Sequence, residues 1–120
     1  MIRRIRIKRI YDPRDSDDGR RILVDRVWPR GVDKSKAKLA LWLKDVAPTS
    51  GLRKWFGHDP ARWAEFRRRY REELDANPAV EDLVKAAAAE PVTLLYGARD
   101  TEHNQAVVLA EYLRERVGRA

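Results

Sequence analysis

The chain has 120 residues, a length that supports one modest hydrophobic core rather than two. Hydrophobic residues make up 43% and charged residues 38%, which excludes a disordered low-complexity chain. Lys and Arg outnumber Asp and Glu by 26 to 19, a charge of +7 that favours anionic partners, and the lack of any cysteine excludes disulfides, thiol nucleophiles, thiolate zinc sites and iron–sulfur clusters.

The N-terminal MIRRIRIKRIY is basic but has neither an apolar central run nor a small-residue cleavage site, so it does not read as a signal peptide. No apolar run approaches the roughly 20 residues of a membrane span. The expectation is a soluble, cytoplasmic protein with no membrane partner.

Residues 3–11 alternate, with Ile5 and Ile7 on one side and Arg4, Arg6 and Lys8 on the other, the pattern of a half-exposed strand. Asp12 to Gly19 is a polar turn region. Ile22 to Trp28 is apolar on both faces apart from Asp25 and Arg26, which predicts a central strand covered on both sides. From there the period changes from two to about 3.6. Leu39, Leu41, Trp42 and Leu43 form a short apolar cluster ending at Ala47-Pro48, and Thr49 or Ser50 caps a brief turn carrying Leu52, Trp55 and Phe56. Asp59-Pro60 is a helix start, carboxylate at the cap and proline in the first turn, and places Trp63, Phe66, Tyr70 and Leu74 on one stripe. Asn77-Pro78 repeats the signal before Val80, Leu83, Val84 and Ala87. Pro91 opens a third strand, Val92 to Ala98, and a last helix begins near Asp100 or Thr101.

Strands separated by helices predict a mostly parallel sheet with right-handed crossovers. The fold class expected is α/β, a small three-layer domain over residues 1–120, with about three strands flanked by four to five helices. The first connection is short for a parallel crossover, which leaves an antiparallel first pair open.

In a parallel sheet, Tyr11, the turn from Trp28 to Gly31 and the stretch from Gly97 to Asp100 emerge at one edge, with Asp25 and Arg26 just beneath. Ligands bind at such strand ends, and the adjacent helix N-terminus favours an anion. Arg26 and Arg30 are candidate anion clamps, with Arg99 as a further guanidinium able to hold phosphate or carboxylate bidentately. Asp25 is a candidate general base or an orienter of Arg26. The competing reading is an internal Asp25–Arg26 ion-pair network sealing the sheet, because a buried acid needs a partner. His103 is a candidate acid, base or donor to an anion, beside Asn104 as a binding residue; Tyr11 and Trp28 are candidate walls. His58 in WFGHDP has too few companion ligands for zinc, so no metal is expected. No phosphate loop, nucleophile elbow or dinucleotide fingerprint is present, and no cofactor is implied. The basic run Arg67 to Arg69 with Arg71 suits either phosphates or a solvated helix face.

The blocks ILVDRVWPRG, WLKDVAPTSGLRKWFGHDPARWAEFRRRYREEL and VTLLYGARDTEHNQAVVLAEYL, in that order between Ile7 and Leu113, resemble the YeaO-like bacterial family. That family is part of a broader group described as domain of unknown function 488. The resemblance implies the fold and the strand-end site more than any activity. A more distant branch of the group places a Cys-His-Arg triplet where this chain has Glu102, His103 and Asn104. The resemblance therefore implies that thiol chemistry does not carry over, and His103 is the one matching position. In that branch a full helix makes the first two strands parallel, which implies the same here.

Three functions follow as expectations. The leading one is binding of an anionic small molecule at the strand ends, with metal-independent hydrolysis or group transfer as the reaction class if there is turnover. The second is a nucleic-acid-binding or regulatory module using the N-terminal strand and the Arg67 to Arg71 face. The third is a partner-binding protein whose interface is an aromatic cluster around Trp42, Trp55 and Phe56. Oligomeric state is not legible.

Overall fold

The computed structural model describes residues 5–118. Among these, four strands form one sheet: β1 (Ile5–Arg9), β2 (Arg20–Leu23), β3 (Leu41–Trp42) and β4 (Val92–Tyr96). Their spatial order is β1-β4-β2-β3 and every pairing is parallel. The helices are α1 (Ser50–Phe56), α2 (Trp63–Asp75), α3 (Ala79–Ala89) and α4 (Gln105–Gly118). The α/β class is therefore as expected, with one strand more.

The added strand is the Leu39–Leu43 cluster. Two residues are too few for an alternating pattern to show in sequence, yet Ile22 pairs with Leu41 and Leu23 with Trp42 at the sheet edge. The first two strands are parallel but not neighbours, because β4 lies between them. Their connection contains only a 3₁₀ turn at Ser16–Asp18, capped reciprocally by Asp15 and Asp18. This turn rests on β4, where the Thr93 hydroxyl donates to the Asp18 carbonyl at 2.6 Å. Gly19 closes it at φ 65°, where a Cβ would lie 2.3 Å from the Pro91 carbonyl oxygen, so only glycine fits.

One sheet face carries Ile5, Ile22, Val24, Val92, Leu94 and Tyr96 and shares a single core with residues of all four helices. The stripe on α2 behaves as predicted for Phe66, Tyr70 and Leu74, which are buried, whereas Trp63 is half-buried at its end. The opposite face is thinner. Ile10, Leu23 and Leu95 meet Ala37, with Trp28, Val32, Leu39 and Trp42 packed around them. An irregular segment, not a helix, forms that layer. The proposed aromatic interface is split by this arrangement: Trp42 belongs to the thin core, while Trp55 and Phe56 belong to the main one. Phe56 is buried and stacks on Phe66 with centroids 4.2 Å apart.

The ladder between β2 and β4 ends in a way that builds the site. Val24 N–H still donates to the Leu95 carbonyl at 3.0 Å. At the next step the Gly97 N–H finds the Asp25 carboxylate, at 2.9 Å, in place of a backbone carbonyl. The predicted strand from Ile22 to Trp28 is corrected accordingly: β2 ends at Leu23, and Asp25 to Gly31 is loop. Among the described residues no helix is long and apolar enough to cross a membrane.

Candidate functional site

A cavity of about 500 Å³ opens beyond the ends of β2 and β4. Tyr11, Asp25, Arg26, Trp28, Arg30 and Asn104 line it, so six of the eight residues chosen from sequence converge there. Arg99 is exposed and does not line it. Nor does His103, whose Nδ1 lies 2.9 Å from Asp100 Oδ2 and whose ring meets Trp63 edge-on at 5.2 Å.

The last helix explains His103. Asp100 Oδ1 accepts the N–H groups of Glu102 and His103, capping a turn that does not continue. The helix begins at Gln105, four to five residues later than expected, with the Asn104 side-chain Oδ1 accepting the Val107 N–H at 3.2 Å. Asn104 also donates to the Asp100 carbonyl at 2.9 Å. It is a buried cap that happens to line the cavity.

Asp25 is a partly buried lining residue. One carboxylate oxygen accepts the Gly97 N–H and the other accepts from the Gln105 carboxamide. Burial pushes its pKa up to about 6, against the opposing pull of those two hydrogen bonds and of the His58 and Arg53 charges. Gly97 is a close approach: a Cβ there would stand 2.9 Å from Asp25 Oδ2 and 3.3 Å from Pro29 Cβ. The expected Asp25–Arg26 ion pair does not form. The Arg26 Nε donates to the Pro48 carbonyl at 3.0 Å and its Nη2 to the Ala47 carbonyl at 3.1 Å. Arg26 thus holds the 47–48 segment against the cavity wall, and two of its nitrogens are occupied before any ligand arrives.

The walls are anchored too. Tyr11 donates its hydroxyl to the Arg30 carbonyl at 2.7 Å, and the Arg9 guanidinium lies 4.8 Å from its ring centroid. Trp28 donates Nε1–H to the Val32 carbonyl and packs edge-on against Trp42 at 5.3 Å. Trp42 in turn donates to the Asp25 carbonyl at 2.7 Å.

Among the lining residues not chosen from sequence are Arg53, Phe56, His58 and Gln105. The first three arrive from α1 and its exit turn, far along the chain from the strand ends. Thr49 caps α1, and Gly57 and His58 both take left-handed φ values of 53° and 57°, which turns the chain sharply at the cavity. The WFGHDP block is the sequence signal for His58, although its ligand count speaks only to metal. Among the described residues no group of three or more His, Cys, Asp or Glu is placed to hold a metal ion.

A family model described as "Inactive DUF488-N3 subclade" matches residues 4–120. The chain is 44% identical over 111 residues to the uncharacterised protein YeaO of Escherichia coli, covering 92% of this chain and 96% of that one. It is 42% identical over 113 residues to an uncharacterised protein of Mycobacterium tuberculosis, covering 94% and 96%. No solved structure matches. With near-complete coverage of both relatives and a family model spanning almost every residue, the chain belongs to the YeaO-like family, in the group described as the inactive DUF488-N3 subclade.

Proposed function

We propose that the strand-end cavity binds an anionic small molecule and holds it without turning it over. The observation that carries this reading is the order of charge inside one cavity. Arg30 and Arg53 are exposed lining residues with no ion pair among the described residues. Asp25 lies inward, its two oxygens held by neutral donors. An anionic group is repelled by an ionised Asp25 and attracted by the guanidinium groups, so it sits at the rim. A carboxylate has about four lone-pair sites and two are used here, so the inner end of the ligand meets an acceptor. The ligand is therefore bipolar, an anion with an N–H or O–H donor at its far end. The cavity volume is within the range of small-molecule sites.

Metal-independent hydrolysis or transfer would rest on Asp25 as proton acceptor, for which a pKa of about 6 is suitable. The lining includes no Ser, Thr, Cys or Lys, which leaves His58, Tyr11, Asp25, water or a second substrate as the nucleophile. That inventory, with the family's description as inactive, favours binding.

The test is a thermal-shift screen at fixed moderate salt, pairing phosphates and carboxylates that carry an amine or amide N–H with analogues that lack it. A ligand at about 100 times its Kd adds about 2.7 kcal/mol, several degrees for a domain of this size. Arg30→Ala and Arg53→Ala should each weaken binding roughly tenfold or more, the scale of one charged hydrogen bond. Hits indifferent to both substitutions would remove the site from the cavity. Conversion of a hit during incubation would replace binding by catalysis.

A further inference from the structure

The chain's basic excess is concentrated in one segment. Residues 26–54 hold eight basic residues against two acidic ones, Asp33 and Asp45, which is +6 of the total +7. No ion pair among the described residues includes any of these cations. The basic run on α2 is the opposite case. Arg67 pairs with Glu111, Arg68 with Glu65 and Glu72, Arg69 with Glu65, and Arg71 with Glu111 and Glu115. The face that looked basic in sequence is neutralised by its own helix and by α4.

Within the unpaired segment, Arg30, Lys34, Lys36 and Lys38 are exposed on an irregular loop. Asp33, the acid among them, turns its carboxylate onto Ser35, accepting from both its N–H and its hydroxyl. The loop starts at the cavity mouth. Arg30 lines the cavity, the Tyr11 hydroxyl donates to the Arg30 carbonyl, and the Lys34 ammonium sits 5.2 Å from the Trp28 ring centroid. Tyr11 is 46% exposed.

We propose that the loop from Arg30 to Lys38 is a docking surface for single-stranded nucleic acid, entered beside Tyr11 and Trp28 at the cavity mouth. Uncompensated cations repel one another, and a polyanion relieves that repulsion along its whole length. A flexible strand needs cations beside an aromatic ring, phosphates on the one and a base stacked on the other, and the exposed Tyr11 with the half-buried Trp28 supplies the ring. A duplex is read by a helix or β-ribbon set into a groove, and this surface offers neither. The surface goes beyond the cavity and shares only Tyr11, Trp28 and Arg30 with it.

The experiment is fluorescence anisotropy with a labelled oligothymidylate of about twelve nucleotides, titrated between about 50 and 200 mM salt. Each phosphate contact on a single strand contributes about 0.7 to the slope of log K against log salt. Lys34→Gln/Lys36→Gln/Lys38→Asn should therefore lower the slope by about 2; Asn is chosen at 38 because that residue has φ 53°. The charge-matched Arg67→Gln/Arg68→Gln/Arg69→Gln variant should keep the wild-type slope. Lys36→Gln alone, expected to lower it by about 0.7, serves if the triple variant loses its circular dichroism. No binding by the wild type at low salt, or equal slope losses in both triple variants, overturns the surface. Binding of small anions in the cavity should survive the loop variant and weaken roughly tenfold or more in Arg53→Ala, so the two readings fall separately.

Discussion

Two aspartates flank β2, and their surroundings differ in kind. Asp18, before the strand, is buried against the Lys8 ammonium at 2.9 Å and the Arg21 guanidinium at 2.6 Å. Burial raises its pKa, but hydrogen bonds from the Asp15 N–H, Lys8 and Arg21 outweigh that and bring it down to about 2. Asp25, after the strand, has neutral donors in place of bonded cations, and its pKa is pushed up to about 6. The sealed ion-pair network that sequence reasoning considered for Asp25 and Arg26 does exist in this molecule, at the other end of the same strand. A carboxylate matched by charge is structural. One buried without a bonded counter-charge is held at a cost in stability, a pattern typical of ligand sites.

The largest expected effect comes from removing the matched carboxylate. Asp18→Asn leaves Lys8 and Arg21 without their partner and should cost about 3–5 kcal/mol, read by urea unfolding. Asp25→Asn can still accept from Gly97 and should be neutral or stabilising by about 1 kcal/mol at neutral pH, while abolishing ligand binding. Equal losses in the two variants would make Asp25 structural and end the contrast.

Gly97→Ala tests Asp25 from the backbone side. Its Cβ must displace the Asp25 carboxylate or Pro29, at a cost of about 1–3 kcal/mol for overpacking. A variant that instead matched wild-type stability and ligand affinity would show the carboxylate free to move.

Acid sensitivity sharpens the comparison with a smaller effect, and the two groups act in opposite directions. Asp18 has a folded pKa below the unfolded value of 3.8, so its contribution is complete above 3.8 and lost as pH falls towards about 2. Asp25 has a folded pKa above 3.8, so the folded state holds its proton longer and stability declines as pH rises from about 4 to about 6. Unfolding free energy measured across pH 4 to 6 should fall in wild type and fall less in Asp25→Asn. An identical pH dependence in both would refute the raised Asp25 pKa.

Much of the fold was legible because it rests on local chemistry. The caps at Thr49, Asp59 and Asn77 act within three residues of themselves, with side chains accepting from Leu52, Ala61 and Ala79. The stripe Phe66, Tyr70, Leu74 is a property of one helix. The Asp100 signal misled because the same Asx geometry that caps a helix also caps a lone turn. Leu41–Trp42 was missed because a two-residue strand is defined by its partner, not by its own pattern. For the site, Tyr11, Asp25, Trp28 and Arg30 were reachable from the rule that strand ends gather ligands. Arg53, His58 and Gln105 were not, since nothing local says that α1 and α4 bring them to the same opening.

By itself, then, the sequence determined the α/β class, most helix boundaries and the edge of the sheet where a site forms, because these follow from periodicity, capping and parallel pairing. Only the tertiary structure decided which charges are matched. Arg67 to Arg71 and Lys34 to Lys38 are similar basic runs in one dimension. The first meets the glutamates of α2 and α4 across a helix interface, and the second forms no ion pair among the described residues. Coulomb energy depends on distance in space, and the fold alone sets that distance.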